Sequence, residues 1–312
     1  MQEQVKYAVD DIVINFSSNE LWILNIVIAI IMFGVALDIT KEDFRRLFKH
    51  PKILFVGVFS QFIALPFVTY LFVSWINPIP SIALGLILIG ACPGGNISNF
   101  LSKLAGGNAA LSVSLTAFAT MMSVVMTPIN LEFYGNLYEP TRAILNSVEL
   151  DPKALFKLVM LILGIPLVLG MLVRAKYPKL ALNVSKKLKP FSIVIFIIML
   201  LGALNQNWEL FMREIHHVFW LVIAHNLIAI ALGFMLAWAF KLSMKDRKTI
   251  SIETGIQNGG LGLLLIFQFF IIPGNEYKYG GMALLAAFWG VWDIFSGLGI
   301  AYLYSKFLPS KE

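Results

Sequence analysis

Apolar runs long enough to cross a bilayer recur along the whole chain, separated by short polar or basic stretches. Runs of about 18 or more apolar residues predict membrane-spanning helices. The pattern predicts about nine transmembrane helices, at 21–39, 53–76, 81–105, 108–131, 154–174, 189–205, 217–240, 249–272 and 280–305. Ahead of them, Val5, Ala8, Val9, Ile12 and Phe16 share a helical face opposite Lys6, Asp10 and Asp11. Residues 1–20 are therefore expected to form an amphipathic segment lying on the membrane surface. The connecting stretches are short, apart from the one between Leu131 and Lys153, so residues 21–307 are expected to form a single transmembrane domain. The fold class is an all-α polytopic membrane protein.

Two of the predicted spans are interrupted. The third (81–105) contains Cys92-Pro93-Gly94-Gly95-Asn96-Ile97-Ser98-Asn99, and the eighth (249–272) contains Glu253-Thr254-Gly255-Ile256-Gln257-Asn258-Gly259-Gly260. Proline removes a helix donor and glycine weakens the helix, so both spans are expected to break in mid-membrane. A broken membrane helix survives only where protein or a water-filled cavity satisfies its freed backbone groups. A carboxylate at that depth costs about 2.5–3.5 kcal/mol on insertion scales, which marks Glu253 as functional rather than as a stray charge beside a kink. The two interrupted spans are five apart in order, an odd number, so the broken helices cross the membrane in opposite directions. Paired interruptions of this kind point to an inverted-repeat transporter with its site at the midplane.

Composition agrees with the hydropathy pattern. The 312 residues are 58% hydrophobic and 13% charged, against about a quarter charged in soluble domains; mean hydropathy is +0.79. Charge placement adds an orientation. With the loop after the first span on the inside, eighteen of the 24 Lys and Arg fall on that side and six on the other. Basic residues favour the cytoplasm, so the N-terminus is expected outside and the C-terminus inside, in the cell (inner or plasma) membrane. The lone Cys92 allows no intrachain disulfide, and no cleavable signal is evident, which leaves the first span to direct insertion. The lipid bilayer and a small-molecule substrate are the expected partners; nothing points to nucleic acid or to an obligatory protein partner.

The polar groups within the spans have the chemistry of a sodium site. A hard monovalent cation takes several oxygen ligands, and broken helices offer carbonyls at their C-terminal ends. Side chains add Ser98 and Asn99 on the third span, and Ser112 and Thr116, four apart on one face of the fourth. Gln61 comes from the second span, and Glu253 and Gln257, again four apart, from the eighth. Serine and threonine in membrane helices commonly just bond back to their own backbone; their convergence with a carboxylate is what favours a site.

These residues fall into a known pattern. Gln61-Phe62 with Pro66, Cys92-Pro93-Gly94-Gly95 with Ser98-Asn99, Gly107-Asn108 leading to Leu111-Ser112 and Thr116, and Glu253-x-Gly255-x-Gln257-Asn258 closely resemble the bile acid:sodium symporter (BASS) family, over about Ile31 to Tyr304. Within it the chain is similar to a bacterial-type homologue with nine spans. The resemblance implies a core domain built on the two crossing broken helices and a panel domain that rocks against it. It also implies two co-transported Na+ ions. The first would be held by Ser98, Asn99, Ser112, Thr116 and Glu253. The second would be held by Gln61, Glu253 and Gln257 with backbone oxygens of Thr254 and Ile256.

One position departs from the family. Trp292-Asp293-Ile294 stands where bile-acid-binding relatives have His-Asn after the Trp. Two sodium ions beside Glu253 leave a net charge of +1 that suits an organic anion, and an ionised Asp293 would cancel it. Either Asp293 carries a proton, or it binds a further cation, or the substrate is not a simple monoanion. Candidates to line a substrate cavity are Asn96, Asn258, Asp293 and the pair His225 and Asn226; a lone histidine in an apolar helix is, against that, more often a packing residue. The expected function is a sodium-coupled secondary active symporter that imports a small organic anion or amphipathic solute by alternating access. Rival classes are a proton-coupled transporter and an intramembrane enzyme using Glu253 and Asp293. No G-x-S-x-G, H-E-x-x-H or P-loop motif supports an enzyme.

Overall fold

The computed structural model describes residues 18–147, 160–188, 208–270 and 280–308, with positions 9, 191 and 194. Among the described residues the regular structure is helical, with one isolated antiparallel bridge. The chain runs through α1 (Ser18–Ala36), α2 (Lys41–Phe48), α3 (Pro51–Phe59), α4 (Leu65–Ile76), α5 (Pro80–Ala91), α6 (Ile97–Leu104), α7 (Ala109–Leu137) and α8 (Glu139–Ser147). It continues through α9 (Ile165–Lys176), α10 (Trp208–Ala239), α11 (Met244–Gly255), α12 (Gly259–Phe269) and α13 (Gly280–Phe307). Residues 178–188 are also helical.

Among the described residues, four helical stretches are long and apolar enough to cross a membrane: Pro51–Ile76, Ala109–Leu137, Met212–Ala239 and Gly280–Phe307. Length does not pick out the third and eighth predicted spans, because each is divided into two short helices, α5 with α6 and α11 with α12. The sixth predicted span (189–205) apart from positions 191 and 194, the beginning of the fifth and all but Val9 of the amphipathic face at 5–16 lie outside the described residues.

Local chemistry sets the helix ends. Pro51 and Pro80 open α3 and α5 at positions where no helical N–H is needed. Side chains of Asn108, Ser243 and Asn258 accept from backbone N–H groups at the starts of α7, α11 and α12. Between α3 and α4 the helix widens into a π-helical turn, Ser60–Ala64. Pro66 has no N–H to give the Phe62 carbonyl one turn back, and the Asn130 amide from α7 donates to that carbonyl instead, at 2.9 Å. The widened turn points Ser60 and Gln61, both fully buried, inward.

The two divided spans occupy the centre. Every residue from Ser81 to Ala91 is buried, as are Asp246 and the whole run from Lys248 to Gly255. A helix covered on all sides needs no polar face, which explains the unbroken apolar run of α5. α7, α10 and α13 enclose the pair, and α1 packs against α9. Ser185 donates to Asp38 at 2.6 Å, tying the 178–188 helix to the end of the first span.

Candidate functional site

At the two breaks the chain leaves the helix for a few extended residues, and the extended pieces pair with each other. Gly94 and Gln257 form the antiparallel bridge. The Gly95 N–H donates to the Ile256 carbonyl at 2.8 Å, and the Asn258 N–H donates to the Pro93 carbonyl at 2.9 Å. Neighbouring helices take up carbonyls freed at the helix ends. Thr127 of α7 donates to Ala91 at 2.8 Å, and the Asn226 amide of α10 donates to Gly255 at 2.8 Å. These freed groups are thus satisfied by protein, the condition under which a membrane helix can break.

Glu253 lies beside this crossing, fully buried. The Ser98 and Ser112 hydroxyls each donate to its Oε1 at 2.5 Å. Thr116 stands 2.9 and 3.0 Å from the two carboxylate oxygens and 3.1 Å from Asn99 Oδ1. All five side chains that the family pattern gives to a first cation therefore adjoin one another, brought from α6, α7 and α11. A hydroxyl has one proton and two lone pairs. Turned to the carboxylate it is a donor; rotated away, it offers oxygen to a cation.

A second group adjoins it on the other side of Gly94. The Gln61 amide nitrogen lies 3.4 Å from the Glu253 carbonyl. Gln257 donates to the Thr254 carbonyl at 2.6 Å, and the Thr254 hydroxyl shares a 2.9 Å hydrogen bond with Ser60. The amide oxygens of Gln61 and Gln257 are both buried without a hydrogen-bond partner. An unpaired buried acceptor costs about 1–3 kcal/mol, so two on residues that contact the backbone of one broken helix end call for an explanation. Oxygen lone pairs are what a hard cation binds, so the two amide oxygens have the chemistry to receive one. Among the described residues no three His, Cys, Asp or Glu side chains gather. One carboxylate among neutral oxygens suits a monovalent ion better than Ca2+, which gathers carboxylates.

The remaining candidates divide by exposure. Asn96 is exposed at the start of α6, and Asn258 is half-buried, its Oδ1 accepting from the Leu261 N–H at 3.0 Å. Asp293, Asn226 and His225 lie in the protein interior. Asn226 stands 3.4 Å from Asp293 Oδ1, accepts from the Trp292 indole at 3.2 Å, and holds the Gly255 carbonyl. His225 shares a 2.6 Å hydrogen bond with Thr69 and sets its ring against Trp289 and Phe72. His225 and Asn226 thus make protein contacts that join α10 to the break and to α13. Replacing Asn226 by Ala leaves the Gly255 carbonyl buried and unpaired, and is expected to cost about 1–3 kcal/mol of stability. A melting midpoint equal to that of the wild type would show that another donor takes its place.

Sequence reasoning missed Thr127, Asn130 and Ser60. Only Asn130 had a signal, since Pro66 announces an unsatisfied carbonyl four residues earlier without saying what meets it. Also missed was a cavity of about 550 Å3 between the α1–α2 corner, Met121 of α7, and α9. Phe44, Leu167 and Met171 give it apolar walls, with Lys41, Glu42 and Arg174 also lining it.

The model of the Sodium Bile acid symporter family matches residues 25–214. A Bacillus subtilis protein named as the uncharacterized sodium-dependent transporter YocS is 30% identical over 96% of this chain and 88% of its own length. The probable chloroplastic sodium/metabolite cotransporter BASS1 of Arabidopsis thaliana is 31% identical over 79% of this chain, and the matched region spans 59% of the plant protein. The human ileal sodium/bile acid cotransporter is 27% identical over 76% of this chain and 66% of its own length.

Proposed function

The chain belongs to the Sodium Bile acid symporter family, and from that premise we propose that it is a sodium-coupled symporter with two Na+ sites at the crossing of its broken helices. The observation that carries the proposal is the set of oxygens at the crossing: three hydroxyls and the Asn99 amide oxygen about the Glu253 carboxylate, and the unpaired amide oxygens of Gln61 and Gln257 beside the break. The first ion is assigned to Ser98, Asn99, Ser112, Thr116 and Glu253. The second is assigned to Gln61, Glu253 and Gln257 with the Thr254 and Ile256 carbonyls, each of which keeps one lone pair after its hydrogen bond within the protein.

Both sites draw on Glu253 of α11, and the bridge through Gly94 links their supports, so filling one organises the other. Asn96 and Asn258, flanking that bridge, are assigned to the substrate. Their position makes substrate affinity depend on bound sodium, which is the basis of coupling: each ligand favours the arrangement that the other needs. The cavity between α1, α7 and α9 is the route by which a small organic anion or amphipathic solute leaves toward the cytoplasmic, basic side, as the α1–α9 panel rocks against the core. Proton coupling through Glu253 alone is disfavoured, since a proton needs none of the surrounding oxygens.

Two measurements test the proposal. In purified protein the melting midpoint should rise with NaCl and not with KCl or choline chloride, by about 2.7 kcal/mol in stability at 100 times the dissociation constant. Small organic anions that raise it further only with Na+ should then be taken up by proteoliposomes under an inward Na+ gradient. Uptake undiminished when K+ or choline replaces Na+ would refute sodium coupling.

A further inference from the structure

We propose that Lys248 is a positioning residue of the cation site, a buried ammonium that locks the turn between the third and fourth spans onto the eighth. The inference rests on the assignment of the Glu253 cluster as a sodium site. It concerns a network at the basic end of the bundle, away from the breaks.

The donors of the first site come from three helices that meet at this end. α6 brings Ser98 and Asn99, α7 brings Ser112 and Thr116, and α11 brings Glu253. α6 stops just before Gly106, whose φ of +67° is a left-handed conformation that glycine adopts freely. The Gly106 and Gly107 N–H groups fold back onto the carbonyls of Lys103 and Ser102, at 3.1 and 2.8 Å. The Ala105 carbonyl is met from another helix, by Lys248 Nζ at 2.9 Å.

Lys248 is 1% exposed, one of the largest fully buried side chains of the protein. Among the described residues it makes no ion pair. Burying an ammonium costs free energy unless something compensates it. Here the compensation is the carbonyl end of a helix, where the backbone dipoles present partial negative charge. A lysine kept inside for this contact, when its four-carbon stem could reach water, marks a joint rather than a solvated charge.

Neighbours on α11 extend the joint. Thr249 Oγ1 accepts from the Asn108 N–H at 2.8 Å, and Asp246 accepts from the Asn108 amide at 2.8 Å. Asn108 in turn caps α7 through the Leu111 N–H at 3.1 Å. Glu253 lies five residues beyond Lys248, and Ser112 four beyond Asn108, about 7.5 and 6 Å along their helices. The joint therefore sets the relative heights of the three helices that bring oxygens to one ion. The bridge ties α6 to α11 at the other end only; without the joint this end of α6 can shift, and Ser98 and Asn99 move off their register with Glu253. Asn258, at the bridge, is held independently by its N–H bond to the Pro93 carbonyl, at 2.9 Å.

The test titrates purified full-length protein with NaCl at constant ionic strength, reading the melting midpoint. Lys248→Met keeps the stem and removes the charge. It should raise the half-saturating Na+ concentration by about 10- to 100-fold, the usual loss when a residue supporting a metal ligand is removed. Lys248→Arg should restore it to near the wild-type value. A Lys248→Met protein that melts earlier but responds to Na+ at wild-type concentrations overturns the proposal, because a purely structural contact would behave in that way. If Lys248→Met does not fold, Asp246→Asn decides. It weakens the Asn108 tie without burying a new charge: a raised Na+ midpoint supports the joint, and an unchanged one overturns it. A wild type with no Na+ response at all would overturn the sodium site itself and this inference with it. A wild type that responds, beside an unaffected variant, sinks this inference alone.

Discussion

Substituting Ala for Glu253 is expected to reduce sodium-driven uptake to the level of protein-free liposomes and to abolish stabilisation by NaCl. The carboxylate is the one charge within both proposed ion sites, and three hydroxyls are oriented by it. Removing one partner from a buried, hydrogen-bonded charge pair costs about 3–5 kcal/mol. At 1.4 kcal/mol per factor of ten, each ion would bind about 100- to several-thousand-fold more weakly. Both sites use this carboxylate, so cooperativity in Na+ should vanish together with affinity. Glu253→Gln separates charge from shape, since it keeps the volume but sets an NH2 group among hydroxyl donors. It should fold and fail in the same way. Sodium-dependent uptake in Glu253→Ala with wild-type cooperativity would place the ions elsewhere.

The second large effect is expected at Gly94. A Cβ at this position would stand 2.7 Å from the Glu253 carbonyl oxygen and 2.7 Å from Glu253 Oε2. One of these atoms belongs to a helix backbone and cannot swing aside. Gly94→Val must therefore push the two broken helices apart at their bridge, or displace the carboxylate. Overpacking of this sort costs about 1–3 kcal/mol, and here the strain falls on the site itself. The melting midpoint should drop, and the protein that remains folded should show no response to NaCl. Gly299→Ala is the control, because a Cβ there meets nothing within 4 Å; it should melt and respond like the wild type. A Gly94→Val protein with a normal Na+ titration would mean that the crossing is looser than these distances imply.

Much of this architecture is legible in one sequence, for reasons that differ between elements. Pro93-Gly94-Gly95 and Gly255 with Gly259-Gly260 interrupt apolar runs by local effects on the backbone, and the helices end there, at Ala91 and Gly255. Ser112 and Thr116 share a face because a helix repeats every 3.6 residues, and both reach Glu253. Boundaries were less legible. The apolar run predicts the eighth span from Thr249, but α11 begins at Met244, because Ser243 caps it well outside that run. The apolar run predicts the seventh from 217, but α10 already includes Trp208, since helical hydrogen bonding continues through the polar turns ahead of the apolar stretch.

Side-chain direction marks where reading the chain stops. His225 and Asn226 look alike as polar residues in an apolar helix, and neighbours in a helix face different ways. One packs among Thr69, Phe72 and Trp289, while the other holds the broken end of α11. Lys248 reads as one more basic residue in a cytoplasmic loop, and burial alone distinguishes it.

By itself the sequence determined the long apolar helices among the described residues, the two places where spans break, the expected orientation and the acid beside the second break, because each depends on residues within a turn or two of one another. Tertiary structure alone decided what meets at the breaks. Gly94 pairs with Gln257, Gln61 reaches Glu253 across 192 positions, and Thr127 and Asn226 take up the freed carbonyls. The physical reason is that a broken helix in a membrane has to find its missing hydrogen bonds on other segments, and which segments those are depends on packing rather than on any local pattern.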